Sequence, residues 1–392
     1  MFVRRRRRPR AALARAVAAP AAPRPAPPGR PTRTPKVISW TALALLTVGS
    51  VGYLGSAPAL SVFGLASVFL YVLPAFVFLV PVSLVAAELA SGWPGGVYNW
   101  VREGISAPMG LLAVWCQFAQ TIFYYPALLA YVAGVEVNAV HVNELQNPGR
   151  EYPRSIFLAM GLVLAVFIGP TLAISWVVPA SQISLTTGVM QAFNSLFTHF
   201  GLEFGVPLIA IALAVGALAG MITWLDGPSE GLLLIGREQG FLPPYFQKVD
   251  SHGIEVRIIA AQGAVITLIA LLYAFIPTVS HAYWIFAVMA TQVYLVMYVL
   301  MFVAAIRLRR SEPDHPRGYR APALGLLCLL GTVSSVSALV IGFIPPAQFG
   351  HLNPVTYAVL ILAGLLAIGI LPPLLMDRLR KPGWKAAGDG SE

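Results

Sequence analysis

An all-α, polytopic membrane bundle is the fold class this sequence predicts, and three observations carry the prediction. Of 392 residues, 57% are hydrophobic and only 11% charged, and mean hydropathy is +0.75. From residue 37 onward, long apolar runs follow one another. The gaps between them mostly alternate between those with Arg or Lys and those without. One aqueous core cannot hide so much apolar surface, whereas a bilayer accepts it. The runs are continuously apolar, which excludes a barrel with polar inward positions. Helices remain, because each satisfies its own backbone hydrogen bonds in lipid.

The chain opens with a leader, 1–36, rich in Arg, Ala and Pro, with eleven basic side chains and no acid. That charge places this end on the cytoplasmic side. The leader reads as a disordered tail that only sets orientation, or as a polybasic segment meeting anionic headgroups. No folded module accompanies the charge, so nucleic acid is not expected as a partner. No short apolar core follows for a cleaved signal peptide.

Nine runs follow, roughly 37–57, 61–90, 107–134, 155–178, 205–235, 257–276, 282–306, 321–344 and 354–376. Each suffices for a bilayer core of ~30 Å at about 1.5 Å per residue. The gap 236–257 holds Arg237, Lys248 and Arg257; the gap 307–320 holds Arg307, Arg309, Arg310, Arg317 and Arg320. The tail 377–392 holds Arg378, Arg380, Lys381 and Lys385, while 178–205, 277–283 and 345–354 have no Lys or Arg. Basic gaps are cytoplasmic, so the tail is too. Arg102 in 91–106 and Arg150 with Arg154 before 155 also ask for the cytoplasm. A single run, 107–134, separates those two gaps, and two crossings need about 40 residues plus a turn. The stretch therefore re-enters near Pro126 or Gly134, is topologically frustrated, or has lost a piece.

Cys116 and Cys328 sit in apolar runs, with no metal-ligand spacing, and read as small buried hydrophobes. No Gly-x-Ser-x-Gly, His-Glu-x-x-His or P-loop pattern occurs, so neither an enzyme nor a cofactor is indicated.

Two local patterns carry more. Gly49, Gly52 and Gly55 fall within seven residues of the first span. They weaken the helix at mid-membrane depth, where exposed backbone can bind a carboxylate and an ammonium. They fit close helix packing through small residues equally well. The stretch from Ala87 through Glu88, Trp93, Pro94, Gly95, Gly96, Tyr98 and Trp100 puts an acid at a helix end, then a turn, then an aromatic amphipathic segment.

That stretch resembles the acid-Leu…Pro-x-Gly-Gly-x-Tyr signature of permeases in the amino acid–polyamine–organocation superfamily. Gly134-Val135-Glu136, followed by Glu144…Asn147-Pro148-Gly149-Arg150-Glu151-Tyr152-Pro153, resembles that family's sixth helix and the loop after it. The wording of this loop is most similar to the glutamate/GABA antiporters. Trp224-Leu225-Asp226-Gly227-Pro228-Ser229-Glu230-Gly231 resembles the eighth helix, and Tyr294 with Tyr298 falls on the counterpart of the tenth. The likeness covers about 37–376.

The resemblance implies a five-plus-five inverted repeat that exchanges amino acids across the plasma membrane. It places the substrate between two broken helices. Gly49, Ser50, Val51 and Gly52 match the first break, and Gly134 and Glu136 match the inner edge of the second. Tyr294 and Tyr298 would line the site and Trp224 would wall it, though one-turn spacing is also ordinary helix packing. Glu88, Asp226 and Glu230 are gating or proton-coupling candidates; Asp226 and Glu230 equally suit the headgroup region. His199 and His281 fall in or beside outer gaps, where interfacial exposure is the plainer reading. The match jumps from the third helix to the second half of the sixth near Gly134, so about three helices are missing. The alternative function is accordingly a non-transporting remnant or membrane scaffold. Substrate and lipid bilayer are the only partners indicated.

Overall fold

The computed structural model describes residues 38–51, 57–127, 148–183, 188–271, 279–345 and 353–385. The leader lies outside them. Among the described residues there is no strand. The helices are α1 Trp40–Val51, α2 Ala57–Ser61, α3 Ala66–Pro74, α4 Val80–Gly92, α5 Gly96–Gly104, α6 Ala107–Ala127, α7 Pro148–Val177, α8 Gly188–His199, α9 Gly205–Gln239, α10 Val256–Leu271, α11 Val279–Ser311, α12 Leu324–Ile341, α13 Pro354–Gly364 and α14 Leu371–Leu379. Each apolar run of the sequence carries one or more of them. Five stretches are long and apolar enough to cross a membrane: Ala66–Gly92, Gly149–Val177, Ile285–Ser311, Leu324–Ile341 and Pro354–Leu379.

Helix boundaries overrun the apolar runs where charge and propensity allow. α11 continues through Arg307, Arg309 and Arg310, because arginine is a good helix former and suits a C-terminus. α7 begins at Pro148, whose fixed φ and missing N–H cost nothing in a first turn. α8 fills part of the Lys/Arg-free gap 178–205, where the sequence reading had no element.

Two spans contain wide π-helical turns. Ala75–Leu79 joins α3 to α4 just before Pro81, and Leu365–Ile370 joins α13 to α14 just before Pro372 and Pro373. Proline removes a backbone donor, and a widened turn absorbs the mismatch. Each turn offers a carbonyl to a neighbouring helix. Ser334 Oγ donates to Val77 O at 3.0 Å, and Trp115 Nε1 donates to Ile368 O at 2.6 Å.

The core centres on α6 and α11. From Leu111 to Tyr124 nearly every α6 side chain is buried, as are most α11 side chains from Ile285 to Leu308. A helix apolar all round belongs inside. Lipid gives helices little hydrophobic reason to associate, so close packing through small residues matters. A Cβ on Gly104 would come 2.8 Å from Ala304 Cα, so the end of α5 meets α11 backbone to backbone. Gly149 at the start of α7 meets Gly318 just as closely, and neither position has room for a side chain. The gap holding Arg102 and the start of α7 therefore both sit at the end of the bundle where α11 finishes in arginines. That is the end the charges asked both to share.

Candidate functional site

The predicted site residues come from segments far apart in sequence, and one hydrogen bond ties two of them. Trp224 Nε1 on α9 donates to Ser50 O on α1 at 2.6 Å, across 174 residues. α1 approaches α9 closely because Gly220 has no side chain; a Cβ there would lie 3.2 Å from Gly49 O. Within α1, Thr47 Oγ1 and Ser50 Oγ donate to Leu43 O and Leu46 O, so both hydroxyls are held along the helix.

Around Trp224 the aromatic rings form a continuous group. Its ring centroid lies 6.0 Å from Tyr124 and 5.8 Å from Tyr294. Tyr294 meets Tyr298 edge-on at 5.0 Å, and Tyr298 meets Phe78 edge-on at 5.1 Å. One-turn spacing puts the two tyrosines on one face of α11. Trp224, Tyr294 and Tyr298 are each 1% exposed. A cavity of about 710 Å³ opens beside the two tyrosines, between α3, α11 and α12, lined by Phe78, Thr291, Tyr294, Tyr298, Leu330 and Ser334 among others. That volume suits a small ligand.

Two residues near this group went unnoticed in the sequence. Tyr124 packs on Trp224. Gln120, one turn earlier on α6, is fully buried, and among the described residues neither its amide oxygen nor its nitrogen has a hydrogen-bond partner. Its neighbour Thr121 is satisfied, accepting from Gln262 Nε2 at 2.5 Å, and Ser229 Oγ donates to Gln262 Oε1 at 3.3 Å. The available signal was the cluster Gln117, Gln120 and Thr121 inside an otherwise apolar run, at helical spacing.

Glu88 sits elsewhere, at the basic end, and its carboxylate is saturated. Arg309 Nε donates to Oε1 at 2.8 Å, Arg317 Nη1 to Oε1 at 2.8 Å, and the Ala321 N–H to Oε2 at 2.8 Å. Arg309 Nη2 also pairs with Oε2. Its side chain is 3% exposed and that of Arg317 is 1% exposed. Ser91 Oγ adds a bond to the same strap, accepting from the Tyr319 N–H at 3.1 Å. Nearby on α5, Arg102 bonds Glu103 and Glu238, each at 2.6 Å. Burial pushes the Tyr98 phenol up, against the pull of the Arg102 guanidinium over its ring.

The remaining predicted residues distribute plainly. Gly49 lies on α1 beside the aromatic group, and Glu230 is exposed on α9, a turn and a half beyond Trp224. For Val51 and Asp226 only the helical backbone is described, and Gly52, Gly134 and Glu136 lie outside the described residues. Cys116 and Cys328 are buried and free, and His199 is exposed.

Comparison with known proteins gives a concordant picture. The amino acid permease family model matches residues 38–134 and 122–366. An uncharacterized transporter of Legionella pneumophila is 26% identical, over 88% of this chain and 97% of that protein. That comparison runs over 451 positions, whereas 88% of 392 residues is about 345, so roughly a hundred positions hold no residue of this chain. A glutamate/gamma-aminobutyrate antiporter of Lactococcus lactis is 30% identical over 274 residues, which are 68% of this chain and 54% of the antiporter. A probable agmatine/putrescine antiporter of the same species is 22% identical over 57% of this chain and 48% of its own length. The chain thus spans about half the length of these two antiporters.

Proposed function

Since this chain belongs to the amino acid permease family, we propose that it is an amino acid antiporter of glutamate/GABA type. It would work in the plasma membrane, with the basic end of the bundle and both chain termini in the cytoplasm. The substrate's amino and carboxylate groups would be held by backbone at Gly49, Ser50, Val51 and Gly52 and by the segment of Gly134 and Glu136. Opened helix ends supply the partial charges for that task. Trp224, Tyr294 and Tyr298 wall the side-chain space, and Gln120 offers it an amide. Asp226 and Glu230 stand as gating or proton-coupling groups, whereas Glu88 anchors the fold.

The bond from Trp224 to Ser50 O, in the last turn of α1, supports this reading, because it ties a residue matched to the expected first break to the aromatic group. The test is exchange in proteoliposomes. Radiolabelled glutamate should enter faster when unlabelled glutamate or GABA is loaded inside, and Trp224→Ala should abolish the acceleration. Uptake indifferent to the internal load would sink antiport.

A second reading rests on one observation, the roughly hundred comparison positions that hold no residue of this chain. The two matched stretches of the family model meet at 122–134, where the sequence likeness jumps. On this reading helices that complete the site are gone, and the protein is a membrane-inserted remnant that does not exchange. Saturable exchange by the chain as it stands would refute it. Silence, cured by grafting in the corresponding segment of the Legionella relative, would support it.

A further inference from the structure

We propose that His315 is a pH-sensitive clasp fastening the strap 312–321 to the end of α4. The proposal stands whether or not the chain transports. The His315 ring lies flat against Trp93, with centroids 4.5 Å apart and planes 9° from parallel. Its Nε2 is 2.9 Å from the carbonyl oxygen of Gly92, and its Nδ1 is 3.1 Å from Glu312 Oε2. A carbonyl and a carboxylate both only accept. To satisfy both, each ring nitrogen must carry a hydrogen, and that ring is the imidazolium. A neutral ring keeps one bond and turns a lone pair toward an oxygen at the other.

The surroundings leave this proton room to act. Glu88 on α4 is shared by Arg309 of α11 and Arg317 of the strap. Arg317 also lies over Trp93 at 5.0 Å and donates Nε to the His315 carbonyl at 3.1 Å. Asp314 is the exposed neighbour in the strap. On α7, Arg150 and Glu151 follow the glycine that touches Gly318. Guanidiniums and carboxylates near the clasp are close to balanced, so the histidine proton changes the local net charge. The seat is tight as well: a Cβ on Gly92 would come 3.3 Å from Arg317 Cβ and 3.6 Å from His315 Cδ2.

The direction follows from the bonding. Acid favours the doubly protonated ring and closes the clasp. Raising pH removes the second ring hydrogen, and with it one bond, and loosens the strap. The strap joins the ends of α4 and α11, so its grip on them changes with pH at this face.

Hydrogen–deuterium exchange of the full chain in lipid nanodiscs tests this, with rates corrected for the intrinsic pH dependence of amide exchange. Peptides covering 312–321 should be better protected at pH 5.5 than at pH 8 by about threefold, the scale of a half-exposed ion pair. His315→Gln and Glu312→Gln should each flatten that contrast. A contrast that persists in His315→Gln, or none in the unmodified chain, overturns the clasp. Protection of α11 reports folding; if His315→Gln loses it, Glu312→Gln and the unmodified chain decide the outcome.

Discussion

Two buried polar regions of this bundle follow opposite rules. At the basic end, Glu88 is saturated by two guanidiniums and a backbone N–H. One turn from Tyr124 of the aromatic group, Gln120 is buried as deeply and has no partner at either amide atom among the described residues. Both groups give up water, which is costly without replacement bonds. The first recovers that cost within the chain. The second finds no replacement among the described residues. A saturated charge holds its surroundings in place, whereas a buried amide without a partner remains a net cost to the fold.

The contrast breaks first at Glu88. Replacing it with Ala leaves Arg317, its side chain 1% exposed, without an anion. Removing one partner of a buried pair costs about 3–5 kcal/mol. Thermal melting in detergent should fall accordingly for Glu88→Ala, and Arg317→Ala should act through the same knot. A small fall for Glu88→Ala would mean that its role is not anchoring. At Gln120 the sign reverses. Gln120→Leu removes a buried amide that has no partner among the described residues, and should recover about 1–3 kcal/mol. Melting should rise while exchange drops. A fall in melting would show that the amide is paired inside the protein.

Trp224 lies between these extremes. Trp224→Phe keeps an aromatic ring and deletes the donor to Ser50 O. The loss of stability should be near the net worth of one hydrogen bond, about 1 kcal/mol. The more telling readout is the rise in melting caused by added substrate. That rise should shrink or vanish, because the bond holds the backbone that would receive the ligand. An undiminished rise would separate the aromatic wall from the binding site.

These regions differ in how far the sequence discloses them. The spans were legible because an apolar run of about 20 residues has few other uses. Trp224, Tyr294 and Tyr298 were singled out through family likeness as site candidates, and the structure shows that their rings pack together. Glu88 was visible as an acid at a helix end, but its partners lie 221 and 229 residues away. Only the fold decides which segment returns to it, so the two guanidiniums that share this carboxylate could not be read from its place in the sequence. Gln120 was overlooked for a related reason. An amide in an apolar helix is usually satisfied by a neighbouring helix, and sequence does not show which amide is left out. α8 was missed because it is only 12 residues long and lies in a gap without Lys or Arg, where neither span length nor basic residues give a signal.

The smallest effect belongs to Arg102, and it refines the comparison because its chemistry repeats that of Glu88. Arg102 pairs with Glu103 and Glu238 at 2.6 Å, distances as short as those in the knot. Its side chain is 26% exposed and those of its partners 42% and 38%. Water and salt reach this pair, so Arg102→Ala should cost only about 0.2–1 kcal/mol. At ~1 M salt, where the screening length is about 3 Å, the difference from the unmodified chain should disappear. The cost of Glu88→Ala should survive the same salt, because Glu88 and Arg317 are buried, at 3% and 1% side-chain exposure, even though Arg309 is 30% exposed. If both variants lose their effect together, burial does not separate the two networks, and the knot is only another surface pair.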